Sequence, residues 1–251
     1  MFNPMSLEGK RILITGASSG IGAACAIAAS KLGATLVLTS RRETALNETL
    51  SKCSGSGHLI VPGDITRNSF VQELVAASEI LDGFVHAAGI AQMIPARFLS
   101  EEKMLETFRV NLFPFLQIMS LLSQRKYHRS PFSAVAISST SAFVGVAGGA
   151  VYCASKGALT ASIKALAVEL ASKGIRVNSV CPATIRTPMF EREILGNAQF
   201  SEGLLAKISG KQPLGIGQPE QVANTVCFLL SEASSFMTGT DLIVDGGKLA
   251  L

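Results

Sequence analysis

Charge is scarce in this chain: Asp, Glu, Lys and Arg make up 16% of its 251 residues, against 48% hydrophobic residues. So little charge, with a positive mean hydropathy, excludes a disordered polypeptide and implies a large buried core. The net charge of +4 comes from 22 basic and 18 acidic residues spread along the whole length. It mildly favours anionic ligands but is too diffuse to mark a nucleic-acid binder. Cys25, Cys53, Cys153, Cys181 and Cys227 are odd in number and lack a CxxC pair, so neither zinc nor another metal nor a disulfide framework is expected. No apolar run approaches the ~18 residues of a membrane span, and MFNPMSLEGK lacks a signal-peptide core. A cytoplasmic location is the expectation. Internal repeats, low-complexity tracts and linkers are also missing.

What is present is alternation. Short β-branched runs at 11–15, 34–40, 58–61, 83–86, 133–138, 175–181 and 241–244 predict strands. They are apolar almost throughout, the pattern of strands covered on both faces. Helical stretches fall between them, notably 20–32, 67–78, 101–126, 152–173 and 219–230. This rhythm predicts an α/β fold: one Rossmann-type doubly wound parallel sheet of about seven strands, a single domain over 1–251. Residues 187–213 stand outside the rhythm, as a lid over a ligand or as surface helices without function.

Directly after the first strand comes Thr15-Gly16-Ala17-Ser18-Ser19-Gly20-Ile21-Gly22. Gly16 suits a tight turn, Gly20 lets backbone approach a pyrophosphate, and Gly22 allows close helix–strand packing. The N–H groups opening the next helix then face the phosphates. Ser18, Ser19 and Ile21 complete this candidate cradle. The second strand ends Ser40-Arg41-Arg42, where an NAD-binding unit would carry a carboxylate for the ribose hydroxyls. Ser40 removes a charge that would repel a 2′-phosphate, and Arg41, helped by Arg42, can grip one. NADP(H) is the expected cofactor, although two arginines can also simply solvate a helix start.

Tyr152 and Lys156 are four apart in a helix-forming stretch and project from one face. A phenol of pKa near ~10 is a poor base at neutral pH, and a neighbouring ammonium favours its phenolate. Taken alone the spacing is commonplace. Together with the glycine turn and the strand-end Ser138-Ser139, however, Tyr152-Cys153-Ala154-Ser155-Lys156 resembles the short-chain dehydrogenase/reductase family. Ser139 stands at that family's serine position, and Asn111 matches its asparagine, which supports a water in the proton relay.

The resemblance implies roles. Ser139 holds the carbonyl oxygen, Tyr152 transfers the proton, and Lys156 binds the nicotinamide ribose while lowering the tyrosine pKa. Hydride is exchanged between nicotinamide and substrate carbon. Asp64, followed by Ile65, resembles the acid that binds the adenine amino group. Ala87, Ala88 and Gly89 lie where the cofactor passes, and Pro182, Ile185 and Thr187 fall in the loop that contacts the nicotinamide. The family often has Asn-Asn-Ala-Gly where this chain has His86-Ala87-Ala88-Gly89, so the amide bonds that tie the central strands together are in question. The resemblance is closest to the 3-oxoacyl-(acyl-carrier-protein) reductase branch. It implies a carbonyl or alcohol substrate, a 3-oxoacyl thioester among the candidates, and a homotetramer paired through 101–126, 152–173 and the last strand. Val151, Ala158, Ser162 and Ala165 are small enough for such helix pairing, or can equally pack inside one subunit. Arg125, Lys126, Arg129 and Lys173 could meet an acyl carrier protein, or merely complement helix C-termini. A sugar, polyol or steroid dehydrogenase is the competing enzyme, and a silent NADP(H)-binding regulator the competing non-enzyme.

Overall fold

Seven parallel strands lie in the order β3-β2-β1-β4-β5-β6-β7, and a doubly wound chain accounts for that order. The computed structural model describes residues 3–194 and 210–251. The strands are β1 Arg11–Thr15, β2 Thr35–Thr39, β3 Leu59–Ile60, β4 Leu81–His86, β5 His128–Ile137, β6 Ile175–Pro182 and β7 Asp241–Val244. The helices are α1 Gly20–Lys31, α2 Glu43–Leu50, α3 Asn68–Ala77, α4 Glu101–Asn111, α5 Phe113–Leu122, α6 Ala150–Leu170, α7 Pro188–Ile194 and α8 Pro219–Leu230.

Successive strand residues point to opposite faces, and both faces are buried. Ile12, Ile14, Leu36, Leu38, Val85 and Val180 meet α1 and α8 on one side. Leu13, Val37, Phe84, Ala134 and Val177 meet α3, α5 and α6 on the other. Phe84 and Phe115 are wholly buried and stack at 6.1 Å, each burial stabilising the fold by roughly 1.5–3 kcal/mol.

Most expected elements are present within a residue or two. The helix expected over 101–126 is instead two, broken at Leu112 (φ −125°, ψ −53°). Pro114 explains the break, since it has no N–H for the Val110 carbonyl four residues back. The chain then reaches β5 at His128, earlier than the expected 133. The amphipathic α2 was not among the expected helices, and it buries only Leu46 and Thr49. In the expected lid, α7 and the return at Gln212 are described, while 195–209 lie outside the described residues. No helix among the described residues is long and apolar enough to cross a membrane.

Candidate active site

The C-terminal ends of β1, β2, β4, β5 and β6 converge on one edge, where a doubly wound sheet binds its ligands. At the end of β1 the glycine turn is dictated by lack of room. A Cβ on Gly16 would stand 2.7 Å from the Ala88 nitrogen, and one on Gly22 would stand 2.3 Å from the Gly16 carbonyl oxygen. Gly20 adopts φ +55°, and the Thr187 side chain rests over it, 3.2 Å from where its Cβ would be. Ser19 precedes α1 without a side-chain capping bond, leaving the first-turn N–H groups for an anion. A cradle that admits no Cβ beside a free helix N-terminus fits the pyrophosphate of a dinucleotide.

Beside it, the Arg42 guanidinium donates to the hydroxyls of Ser18 (3.3 Å) and Ser19 (3.4 Å), while its N–H donates to Ser40 Oγ. Arg41 makes no hydrogen bond among the described residues and lends its field to Asp64. Burial pushes the Asp64 carboxyl up, but two hydrogen bonds from Thr66, with Arg41 and Arg67, outweigh this and leave it below the ordinary carboxylate range. Ile65 is buried next to it.

Tyr152 and Lys156 share one face of α6, and the short turn Thr140–Ala142 packs against that helix, bringing Ser139 to the phenol. Ser139 Oγ accepts from the Ser141 N–H at 3.0 Å. Ser138 is turned the other way, donating to the Lys156 carbonyl at 3.3 Å, while Ser139 lies beside the phenol. Burial raises the Tyr152 pKa, and the neighbouring Ser139 hydroxyl draws it part of the way back. Lys156 does not supply the lowering expected of it in this form. Its Nζ is 5.9 Å from the Tyr152 ring centre and donates instead to the Ile137 carbonyl at 2.8 Å. Burial brings the ammonium down to about 8.

Asn111 is fully buried and its amide is committed. Oδ1 accepts from the Ile90 N–H at 2.8 Å, and Nδ2 donates to the Ile90 carbonyl and to Ser155 Oγ, both at 3.0 Å. It therefore clamps the chain just after Ala87-Ala88-Gly89, and Gly89 lies between Asn111 and Lys156. In the loop after β6, Thr187 Oγ1 accepts from the Phe190 N–H at 3.1 Å, Pro182 ends the strand, and Ile185 is bridged to Gly217.

Two residues carry more of the site than sequence reasoning assigns. Buried Gln212 holds both backbone polar groups of Thr184, accepting from its N–H at 2.9 Å and donating to its carbonyl at 3.3 Å, and no sequence signal marks it. Thr15 binds both His86 Nδ1 (3.0 Å) and the Ala88 N–H (3.3 Å). The expected loss of the tie between central strands is thus made good by a histidine. Val151 is buried rather than available for helix pairing, whereas Ala165 is exposed.

A glycine cradle on a doubly wound sheet, with a serine, tyrosine and lysine at its mouth, defines the class of nicotinamide-dependent oxidoreductases that interconvert alcohols and carbonyls. The model of a family described as enoyl-(acyl carrier protein) reductase matches residues 16–248. L-xylulose reductase from Bos taurus is 34% identical over 249 residues, covering 98% of this chain and 99% of its own. Cyclopentanol dehydrogenase from Comamonas testosteroni is 35% identical over 250 residues, covering 96% and 97%. The crystal structure of a short-chain type dehydrogenase/reductase from Mycobacterium marinum superposes with a TM-score of 0.86 at 30% identity, covering 99% and 98%. The chain belongs to the short-chain dehydrogenase/reductase family.

Proposed function

We propose that this protein is an NADP(H)-dependent oxidoreductase of small polyols, sugars or alicyclic alcohols and their carbonyl forms. The observation that carries the reading is the meeting of Ser139, Tyr152 and Lys156 beside a turn that admits no Cβ. Bound at that turn, the dinucleotide supplies or takes up the hydride. Ser139 holds the substrate oxygen, and the Tyr152 hydroxyl gives it a proton in reduction and removes one in oxidation. Lys156 acts on the phenol once it exchanges the Ile137 carbonyl for the ribose. With its side chain committed to Ile90, Asn111 contributes to the relay through its backbone carbonyl. The described ends of the expected lid are tied down by Thr187 and Gln212.

Two relatives bear the names of a sugar reductase and a cyclic-alcohol dehydrogenase. They favour small free substrates over the 3-oxoacyl thioester. The cations expected to meet an acyl carrier protein give that alternative little support. Arg129 is paired with Asp82 at 2.9 Å, and Arg125 and Lys173 line a cleft at the N-terminal ends of β5 and β6, the edge opposite the site. Oxidation of NADPH, followed spectrophotometrically against keto-sugars, cyclic ketones and acetoacetyl thioesters, decides between them. Turnover confined to the thioesters would overturn the substrate class, and no turnover on any carbonyl would favour a silent binder.

The preference for NADP(H) rests on Ser40 at the place of a carboxylate and on Arg41, whose fork is uncommitted while Arg42 is held by the turn. Arg41→Ala should weaken NADPH by about 10- to 100-fold, the range of a lost charge-assisted contact, and leave NADH nearly unchanged. Fluorescence titration with both dinucleotides measures this, and equal losses would defeat it. The working form is a cytoplasmic homotetramer. Exposed Met104, Phe113 and Leu116 along α4 and α5 support one interface, and Ile243 on the edge strand β7 supports the other. Light scattering at micromolar concentration should give four times the 26.3 kDa chain mass, and a monomeric mass would refute the assembly.

A further inference from the structure

His86 ends β4 with no exposed surface, between the rings of Phe84 (6.1 Å) and Phe115 (5.8 Å). Its Nε2 is buried without a hydrogen-bond partner. Thr15 Oγ1 accepts from the Ala88 N–H and pairs with His86 Nδ1 at 3.0 Å, a contact in which either group can be the donor. When the Thr15 hydroxyl is the donor, Nδ1 is the acceptor and a neutral ring carries its proton on Nε2. Neutrality follows from the surroundings. Burial, and then the ammonium of Lys156, push the imidazole down to about 3, against the opposing pull of the Asn111 and Val110 carbonyls. Those two carbonyls lie toward the ring, although neither meets Nε2 in hydrogen-bond geometry.

The opposite side of this gap is equally incomplete. The Val110 carbonyl is in the last turn of α4, and its helical donor would be the N–H of residue 114, which is proline. The buried Nε2 thus faces a carbonyl that has lost its helical donor to Pro114. They meet at the break that carries Asn111, which in turn holds Ile90 and Ser155, the neighbour of Lys156.

We propose that His86 is a positioning residue for the reaction: its Nε2–H donates to the carbonyl pair at the α4–α5 break and fixes Asn111, the loop after Gly89 and Lys156 in their working arrangement. The inference rests on the reading of Tyr152 and Lys156 as the reacting pair. A contact that is long in the free protein and closes in the complex is ordinary for such sites. Lys156 on α6 is the charged group that acts on the ring, while β1, β4 and α5 bring Thr15, Phe84 and Phe115 to it.

The test has two arms. Nitrogen-15 NMR of the imidazoles, on full-length protein with and without NADPH, reads the tautomer directly. The expected result is an Nε2–H signal for His86 that exchanges slowly and is further protected with NADPH. An Nδ1–H tautomer, or an Nε2–H that exchanges as fast as that of an exposed histidine, would overturn the proposal whether or not a substrate has been found. In the second arm, His86→Phe keeps the ring packing and removes the donor. It should lower kcat about tenfold, with KM and NADPH affinity within threefold of wild type, and should shift the midpoint of the pH–rate profile. His86→Asn, which restores a donor, should recover most of kcat. Pro114→Ala supplies the missing N–H to Val110 and should speed exchange at His86 Nε2. A His86→Phe protein with a lower Tm but an unchanged kcat and pH profile would reduce the residue to a structural tie. Loss of kcat on Tyr152 and Lys156 substitution, beside that unchanged profile, would show that the reaction reading stands while this one fails.

Discussion

Phenylalanine at position 152 should cut turnover by roughly 10²- to 10⁴-fold while leaving dinucleotide affinity close to wild type. The ring keeps its packing on α6, and the substrate oxygen loses its proton partner, a loss of the size measured for general acid–base groups. The structure makes the effect specific to the hydroxyl. Ser139, the other hydroxyl proposed to hold the substrate oxygen, accepts from the Ser141 N–H. Steady-state kinetics in both directions, with dinucleotide titration on the same sample, are the measurements. Turnover within tenfold of wild type would remove Tyr152 from the chemistry.

Gly22→Ala should strike the other half of the site. Its methyl group would lie 2.3 Å from the Gly16 oxygen and 2.8 Å from the Gly16 carbonyl carbon. Both are backbone atoms that no rotamer change can move. The turn must therefore open, at a cost of roughly 1–3 kcal/mol, and the phosphate cradle opens with it. NADPH binding should weaken about 10- to 100-fold, and kcat at saturating dinucleotide should change far less. Calorimetric titration measures the first, and wild-type affinity in the variant would show that the turn is not the phosphate site.

The parts of this protein that were legible in the sequence are those set by spacing along the chain. The glycine turn, the Tyr152–Lys156 pair and the β/α alternation are local patterns whose geometry follows from helix and strand periods. The break at Leu112 was also readable in principle, because Pro114 sits inside a helical pattern, but the apolar run around it is continuous and hides the stop. Features made across the sheet were not legible. His86 reads as a lost amide until Thr15 is seen beside it, and Gln212 has no role until the chain returns to Thr184. The direction of the Lys156 ammonium could not be read either. Helical spacing places it on the face of Tyr152, and only the fold reveals that the Ile137 carbonyl is a nearer partner. Val151 shows the same limit, since a small apolar residue reads alike at an interface and in a core.

The join between β1 and β4 bears on how the molecule is made. At one end of this seam the Arg11 N–H donates to Asp82, and at the other Thr15 meets His86, each contact 71 residues apart in sequence. Contacts of that span form only after a long loop has closed, which slows folding and leaves strand edges open meanwhile. The cradle lies at the end of the same seam and cannot exist before it. A dinucleotide that binds only the closed seam therefore draws the population toward the native state by mass action. Cofactor supply during synthesis becomes a determinant of yield, and refolding with NADPH present should recover more protein than refolding without it.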